Sequence, residues 1–541
     1  MIDEMRLYHQ ALSIYLVALS VILITGCSAP VATQAEISVD IKADGQSFPV
    51  DLLPGSSVEQ ALKAANITLT SLDKVDPPLY SLVSDGNQIE ITRVTEEFTV
   101  EQEPIPFEQL RQPTEFLPEG QLQLDPIQKG EPGVREITYQ ILHENGQEVS
   151  KKQVKNIVVK EPVPQVVLVG VLPLVSHFAI PGKLAYLFNG EAWLIEGRTD
   201  NRRVLIPGGD LDGRVFSLSS DGNWLLFTRR SEDPNQINEL WVADISADPV
   251  KELNLQVNNI VHFADWLPGS NSKIVFSTVE PRSTAPGWQA NNDLYALSFS
   301  ASGWVSTWEE KPVLEPNSGG VYGWWGMNFV WSPEGDQLAY TRPDGIGLVD
   351  FDTGVMTSTL EILPLQTGED WAWVPGLSWG ADGNYLYTVD HIPQEGSTSA
   401  EESPVFDLVA VPLQEGQMIG MVPQTGMFGY PVASPVMQGI DGENNYQIAY
   451  LQAIFPTQSK TSPYKLVVMD RDGSNPRALF PSDGEPGLDP QQVVWSPNPL
   501  EEQGNYAVAV LNQGNLWLVD AETGESHQIT GDGLIGKISW R

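Results

Sequence analysis

The chain of 541 residues holds a single cysteine, so neither a disulfide framework nor a cysteine-based metal cage is available to it. Histidine is also scarce. His9, His143, His177, His262, His391 and His527 are the only six, none at metal-ligand spacing, so no zinc site or other metal centre is expected. Lys and Arg number 30 against 70 Asp and Glu, a net charge of −40. Such an excess repels phosphate backbones and excludes nucleic acid as a partner. It also argues against a protein body pressed onto anionic lipid. Phosphate-loop and dinucleotide fingerprints are missing, and no cofactor is expected. Outside residues 11–24 no apolar run is long enough to span a membrane.

Turn formers and tryptophan are plentiful instead: 47 Gly, 41 Pro and 16 Trp. Gly and Pro in these numbers suit many short strands, and repeated strands that each bury one indole account for the tryptophan. The length predicts about two to four domains. The expected fold class is mainly β.

The one cysteine, Cys27, follows the apolar run Ala11-Leu-Ser-Ile-Tyr-Leu-Val-Ala-Leu-Ser-Val-Ile-Leu-Ile24 and then Thr25-Gly26. The run has the length of a signal-peptide core rather than a span. Ile24-Thr25-Gly26-Cys27 resembles the bacterial lipoprotein box. That resemblance implies a signal peptide over 1–26, lipidation of the Cys27 thiol and a short tether over 27–35. The acidic start Met1-Ile2-Asp3-Glu4 departs from the usual basic leader, and Met5-Arg6 makes a more ordinary one.

Residues 36–93 read as strand, turn, strand, helix, strand. Glu36-Ile-Ser-Val-Asp-Ile-Lys alternates, Asp44-Gly45 is a turn signal, and Ser47-Phe-Pro-Val-Asp-Leu-Leu is a second strand. Ser57-Val-Glu-Gln-Ala-Leu-Lys-Ala-Ala-Asn66 is a helix with Ser56 or Ser57 as cap. With Gln88-Ile-Glu-Ile-Thr-Arg-Val the order suggests a β-grasp. Together with Asp73-Lys-Val-Asp-Pro it resembles the ubiquitin-like domain that precedes wall-associated modules in resuscitation-promoting factors. In residues 94–172, Gly120, Gly130, Gly133, Gly146 and Gly170 punctuate alternating β-branched strands such as Ile137-Thr-Tyr-Gln-Ile-Leu. This resembles the extended β module called G-five. The resemblance implies adhesion to the cell envelope or spacing within it, and both readings stay open. Lys151, Lys152, Lys155 and Lys160 make a basic stretch, either a solvated strand face or a contact for anionic wall polymers.

Residues 173–541 repeat. Phe216-Ser-Leu-Ser-Ser-Asp-Gly-Asn-Trp-Leu-Leu-Phe227 recurs as Ala264-Asp-Trp-Leu-Pro-Gly, Val330-Trp-Ser-Pro-Glu-Gly and Leu377-Ser-Trp-Gly-Ala-Asp-Gly, with weaker copies at Ala433-Ser-Pro and Val494-Trp-Ser-Pro. Spacings run from roughly 45 to 65 residues. Each copy is strand, tight turn, strand, with a third strand such as Glu239-Leu-Trp-Val-Ala-Asp244 behind it. Four short strands per unit of this length mean propeller blades. The repeat resembles the WD40-like repeats of the TolB type. Ile538-Ser-Trp540 is a copy cut off after its first strand, and Lys183-Leu-Ala-Tyr-Leu-Phe lacks a preceding one. Joining them closes a ring of seven blades, six or eight being the alternatives.

Motifs with possible chemistry are few. Gly376-Leu-Ser-Trp-Gly380 matches the nucleophile elbow of α/β-hydrolases but falls inside a repeat with no helix after it. Asp470-Arg-Asp-Gly-Ser-Asn475 starts like a calcium loop and lacks the twelfth-position Glu, so it reads as a turn. Glu309-Glu310 and Glu401-Glu402 read as solvated loops, and the insert 393–404 reads as a mobile segment. Val321-Tyr-Gly-Trp-Trp-Gly326 and Gly368-Glu-Asp-Trp-Ala-Trp373 place Trp324, Trp325, Trp371 and Trp373 just before blade strands, where they suit sugar or peptide recognition.

These readings describe an extracytoplasmic lipoprotein held to a bacterial membrane by Cys27. A β-grasp and G-five stalk meets the envelope, and a propeller binds a protein or a wall glycan without catalysis. Residues 173–541 hold 46 acids and 18 Lys plus Arg, a net of −28, which slightly favours a cationic protein partner. The alternative is a glycan hydrolase or lyase, marked by two carboxylates about 5–10 Å apart at one mouth. The first prediction concerns anchoring. Cys27→Ser abolishes incorporation of a palmitate analogue in cells, whereas equal label on both proteins contradicts the lipoprotein reading.

Overall fold

The computed structural model describes residues 35–541 except 116, 126–127, 172–175, 308–310, 395–398, 415, 439–443 and 502–503. Cys27 with its leader and most of its tether, and the pair Glu309-Glu310, lie outside the described residues. The chain divides into two compact units, one of residues up to 109 with 127–165, the other of 110–126 with 166–541. The G-five stretch 94–172 contributes to both. Nearly all regular structure is strand, and among the described residues no helix is long and apolar enough to cross a membrane.

In the first unit, period-two alternation buries Val39, Ile41 and Ala43 on one face of strand Ile37–Ala43. The turn at Asp44-Gly45 returns the chain antiparallel along Gln46–Leu52. Helix Val58–Ala64 starts at Ser57, whose hydroxyl accepts from the Gln60 amide while the Gln60 side chain accepts from the Ser57 amide, a capping box. Val58, Ala61 and Leu62 close over the core. Strand Gln88–Thr92 then runs parallel to the first, with Ile41 opposite Ile89, as a β-grasp requires. The short strand Lys74–Asp76 completes the sheet, an element the sequence reading did not isolate.

Arg93 joins this sheet to the next. Its guanidinium donates to Asp44 (2.9 Å), to Asp73 (2.8 Å) and to the Thr68 carbonyl (2.8 Å). Its backbone exchanges hydrogen bonds with Asn145, at the tip of the hairpin Gly133–Glu144/Gln147–Lys160. That hairpin and strand Val94–Ile105 make a three-stranded antiparallel sheet. Its edge strand Gln147–Lys160 is exposed throughout, and Lys151 and Lys160 pair there with Glu101 and Glu131.

The second unit opens with a small sheet of Gln109–Thr114, Gln165–Gly170 and Leu122–Leu124. Gly170 is obligatory there, because a Cβ would stand 1.9 Å from the Pro118 carbonyl oxygen. Just beyond the first of these strands, Glu115 enters the repeat region. Its amide donates to Asp532 (2.8 Å), and its carboxylate pairs with Arg202 and accepts the Gly531 amide. Burial pushes the carboxyls of Glu115 and Asp532 above their ordinary range, and the Arg202 charge works against that shift.

Seven antiparallel sheets of three or four strands follow among the described residues, besides two two-stranded ones. The first is Glu191–Ile206, Ala179–Phe188 and Ile535–Trp540, so the last strand of the chain completes the first sheet, as the split copy implied. Leu184 lies opposite Trp540 and Tyr186 opposite Ile538. The others begin with Leu211–Leu218, Ala264–Trp266, Asn328–Trp331, Leu377–Trp379, Val432–Ala433 and Val494–Trp495. Each sheet shares a buried core with the next. The seventh shares one with the first, where Ala507, Ala509, Leu516 and Leu518 meet Leu184, Tyr186, Ile195 and Trp540. The recurring indoles link neighbouring sheets: Trp266, Trp379 and Trp495 donate to the carbonyls of Ser217, Val330 and Val432 on the first strand of the preceding sheet.

Two predictions follow from these contacts. Burial opposes ionisation of Asp73, but the Thr70 and Val94 amides and Arg93 outweigh it and hold its carboxyl at about 2, below the ordinary 3.8. A lowered folded value contributes stability that is present above the ordinary range and fades as pH falls toward about 2. Asp73→Asn therefore costs the first unit about 2 kcal/mol at neutral pH, and that cost shrinks through this window in pH-dependent melting. A cost independent of pH contradicts the assignment. Separately, deleting residues 537–541 removes the buried Trp540 and uncovers the edge of Ala179–Phe188. The expected loss is about 3–5 kcal/mol or outright aggregation. An unchanged melting temperature contradicts the pairing.

Candidate functional site

Residues 317–326, between the third and fourth sheets, form a loop tied down by side chains before it presents anything to solvent. Asn292, buried and at a φ of 53°, donates its amide to the carbonyls of Asn317 (3.2 Å) and Gly323 (2.8 Å). Asn317 returns a bond to the Asn292 carbonyl at 2.6 Å and accepts the Gly319 amide at 2.9 Å. The Asp344 carboxylate, itself 2.6 Å from Arg342, accepts the Val321 amide at 2.8 Å. A short 3-10 turn over Gly323–Trp325 then sends the two indoles in different directions.

Trp324 points outward. It is 40% exposed, next to Tyr322 at 38% and Val321 at 48%. Its indole nitrogen donates to the Trp288 carbonyl at 2.9 Å, so the ring is both exposed and fixed in orientation. Arg282 lies 5.8 Å from the ring centroid and is itself held by Glu280 (2.6 Å) and Gln289 (2.8 Å). Trp325 turns inward, edge-on to Trp288 at 5.9 Å, and Trp288 packs edge-on to His262 at 4.6 Å. His262 is pressed against the backbone at Gly326, where a Cβ would come within 2.4 Å of its ring. Burial, with a smaller contribution from Arg214, lowers its pKa to about 4 and keeps the imidazole neutral at pH 7.

The second aromatic loop behaves differently. Trp373 is 2% exposed, donates to the Met427 carbonyl at 2.8 Å and packs edge-on to Phe406, so it offers no face to a ligand. Trp371 is half-buried. Its indole donates to Glu369 at 2.8 Å, Lys460 lies 5.5 Å from its ring, and Lys460 pairs with Glu369 at 2.7 Å. Among the described residues no ring contact links Trp324 and Trp325 to Trp371 and Trp373. Trp324 alone of the four combines wide exposure with a neighbouring aromatic and a cation. Its partners Arg282, Gln289 and Trp288 were not singled out in the sequence. They sit on or beside the hairpin Val279–Pro281/Trp288–Ala290, which interrupts the third sheet between Lys273–Phe276 and Tyr295–Ser298. That extra length in the copy beginning at Ala264 was the available signal.

The other motifs fall into structural places. Ser378 of the elbow-like match lies buried in strand Leu377–Trp379, where its hydroxyl accepts the Ala433 amide at 3.3 Å. In the turn after Tyr464–Asp470, Asn475 donates to Asp470 (2.7 Å) and Ser474 to Asp472 (2.6 Å). Glu401 and Glu402 form a short 3-10 turn whose Glu401 carbonyl accepts the Gln366 amide.

Comparison with known proteins bears on the N-terminal part. The G5 domain model matches residues 96–171, and the model of a G5-linked ubiquitin-like domain matches 39–79. The chain carries a ubiquitin-like domain followed by a G5 domain. Resuscitation-promoting factor RpfB of Mycolicibacterium smegmatis is 32% identical over 152 residues, 28% of this chain and 40% of that protein, so the chain spans well under half of that relative's length. Among solved structures, a periplasmic gluconolactonase of Pseudomonas aeruginosa is 13% identical, covering 67% of this chain and 98% of its own at a TM-score of 0.39. A putative TolB from Agrobacterium tumefaciens is 14% identical, covering 66% and 92% at a TM-score of 0.29. At such scores neither likeness bears on how the seven sheets are arranged.

Proposed function

We propose that the chain is an extracytoplasmic lipoprotein of the bacterial cell envelope, anchored through Cys27, that binds wall glycan through its repeat region. The G5 and ubiquitin-like matches and the partial likeness to a resuscitation-promoting factor support association with the cell wall. In this reading those two domains form the stalk. The seven sheets form a seven-bladed propeller of the TolB type, supported by the core shared between the seventh sheet and the first.

The observation that carries the binding role is the fixed, exposed Trp324 ring with Tyr322 and Arg282 beside it. A sugar ring stacks its C–H face on an immobilised indole at little entropic cost, while Arg282 and Gln289 offer hydrogen bonds to hydroxyls. The carboxylate at this patch, Glu280, is held by Arg282 at 2.6 Å, which suits positioning better than acid catalysis. This geometry moves the balance from a cationic protein partner toward glycan.

Co-sedimentation of the purified chain with insoluble peptidoglycan tests the role. Binding is expected to change little between low and high salt, and Trp324→Ala is expected to weaken it roughly tenfold with no change in melting temperature. Undiminished binding by the variant contradicts the glycan platform. Binding that collapses with salt contradicts it as well and favours an electrostatically steered partner.

A further inference from the structure

Two segments of the ubiquitin-like domain lie side by side and are bare of charge. Residues 52–58 read Leu-Leu-Pro-Gly-Ser-Ser-Val and residues 77–84 read Pro-Pro-Leu-Tyr-Ser-Leu-Val-Ser, in a chain with 18% charged residues. Backbone hydrogen bonds lock them together. The Val58 amide donates to the Ser81 carbonyl (2.9 Å), the Glu59 amide to the Leu79 carbonyl (3.0 Å) and the Val83 amide to the Ser56 carbonyl (2.9 Å). Each segment is also turned on itself. The Ser56 amide and hydroxyl donate to the Leu53 carbonyl (3.2 and 2.8 Å), and the Ser81 amide donates to the Pro78 carbonyl (2.8 Å).

Their apolar side chains face water all the same. Leu53 is 57% exposed, Tyr80 84% and Leu82 72%, while Val58 and Val83 turn into the core. Single exposed apolar residues are ordinary, but several on two clamped loops make a patch of the kind that marks a protein or membrane contact. The place where the chain enters the domain says which. Ile37 stands opposite Leu52, so the chain comes in alongside Leu53. Eight peptide units separate Cys27 from residue 35, a reach of at most about 28 Å. A bilayer that holds a lipid on Cys27 therefore comes within reach of this patch.

We propose that Leu53, Leu79, Tyr80 and Leu82 rest in the surface of the bilayer that anchors the chain. The proposal rests on the Cys27 anchor of the proposed function. Tyrosine suits the interface, because its ring is apolar and its hydroxyl stays among headgroups. The tether keeps lipid at high local concentration, so a contact too weak to hold the domain alone is occupied once the anchor is in place. Asp51, Glu59, Asp76 and Asp85 border the two segments, so the contact suits neutral rather than anionic headgroups.

Photolabelling from the lipid side tests it. The chain from Cys27 onward is coupled through that thiol, its only one, to a maleimide phospholipid. The vesicles are phosphatidylcholine containing a diazirine-bearing phosphatidylcholine, and the labelled peptides are quantified by mass spectrometry. Val159 and Phe455, each 57% exposed, are the references for chance collision with lipid. Peptides spanning Leu53 and Tyr80–Leu82 are expected to take up about fivefold more label than those holding the references. Tyr80→Asp with Leu82→Asp is expected to bring them down to the reference level with no change in melting temperature. Equal label on all exposed apolar sites of the unaltered chain overturns the proposal, as does undiminished label in the double variant. Dimers that form through the patch and leave it unlabelled overturn it too, and assign the patch to a second copy. The anchor is imposed chemically here and read separately by palmitate labelling in cells, so the two ideas fail by different results.

Discussion

The larger unit depends on one pairing, that of its last strand with its first long one. Ile535–Trp540 lies along Ala179–Phe188, and the Trp540 indole donates to the Pro181 carbonyl at 2.7 Å across 359 residues of chain. Each of the seven sheets contributes to two cores, one with each neighbour. The first sheet can do so only when the C-terminal strand is in place. The stability of such an arrangement is a chain of nearest-neighbour terms, so a missing strand weakens both adjoining interfaces rather than one. The closing contact spans 359 residues of chain, and its loop-closure entropy must be met before it stabilises anything.

A second long-range contact, also within the larger unit, ties Glu115 into this arrangement. Arg202 brings together Glu115, from the small sheet, and the carbonyl of Ile529, near the end of the chain. A buried pair of this kind adds little net stability over an apolar replacement, but losing one member leaves an uncompensated charge. Its effect is to fix where the segment after Gln109–Thr114 meets the first and seventh sheets of the same unit. In the other unit Arg93 plays the equivalent part between the ubiquitin-like sheet and the long strands, here with two carboxylates and three carbonyl or amide partners.

Much of this was legible in the sequence because the repeat carries its own physical markers. Trp266, Trp379 and Trp495 recur where an indole nitrogen meets the preceding sheet, so they mark first strands directly. Strand Ile37–Ala43, the Ser57 cap and the split copy at Trp540 were readable from alternation, capping chemistry and the unfinished repeat. The contacts of Glu115 were not, since their partners are 87 and 416 residues away and nothing local marks them. Trp373 and Trp324 were indistinguishable by composition, as both sit in tryptophan-rich loops shortly before the first strand of a repeat. What separates them is tertiary: the Met427 carbonyl and Phe406 enclose one, while Asn292 and Asp344 hold the other's loop at the surface.

The central claim is that the Trp324 ring is a binding face for wall glycan. Saturation-transfer NMR with soluble muropeptides tests it most directly, because it reports which ligand protons touch the protein. The account predicts transfer concentrated on pyranose ring protons and lost in Trp324→Ala. Transfer confined to the peptide stem, or unchanged in the variant, contradicts it.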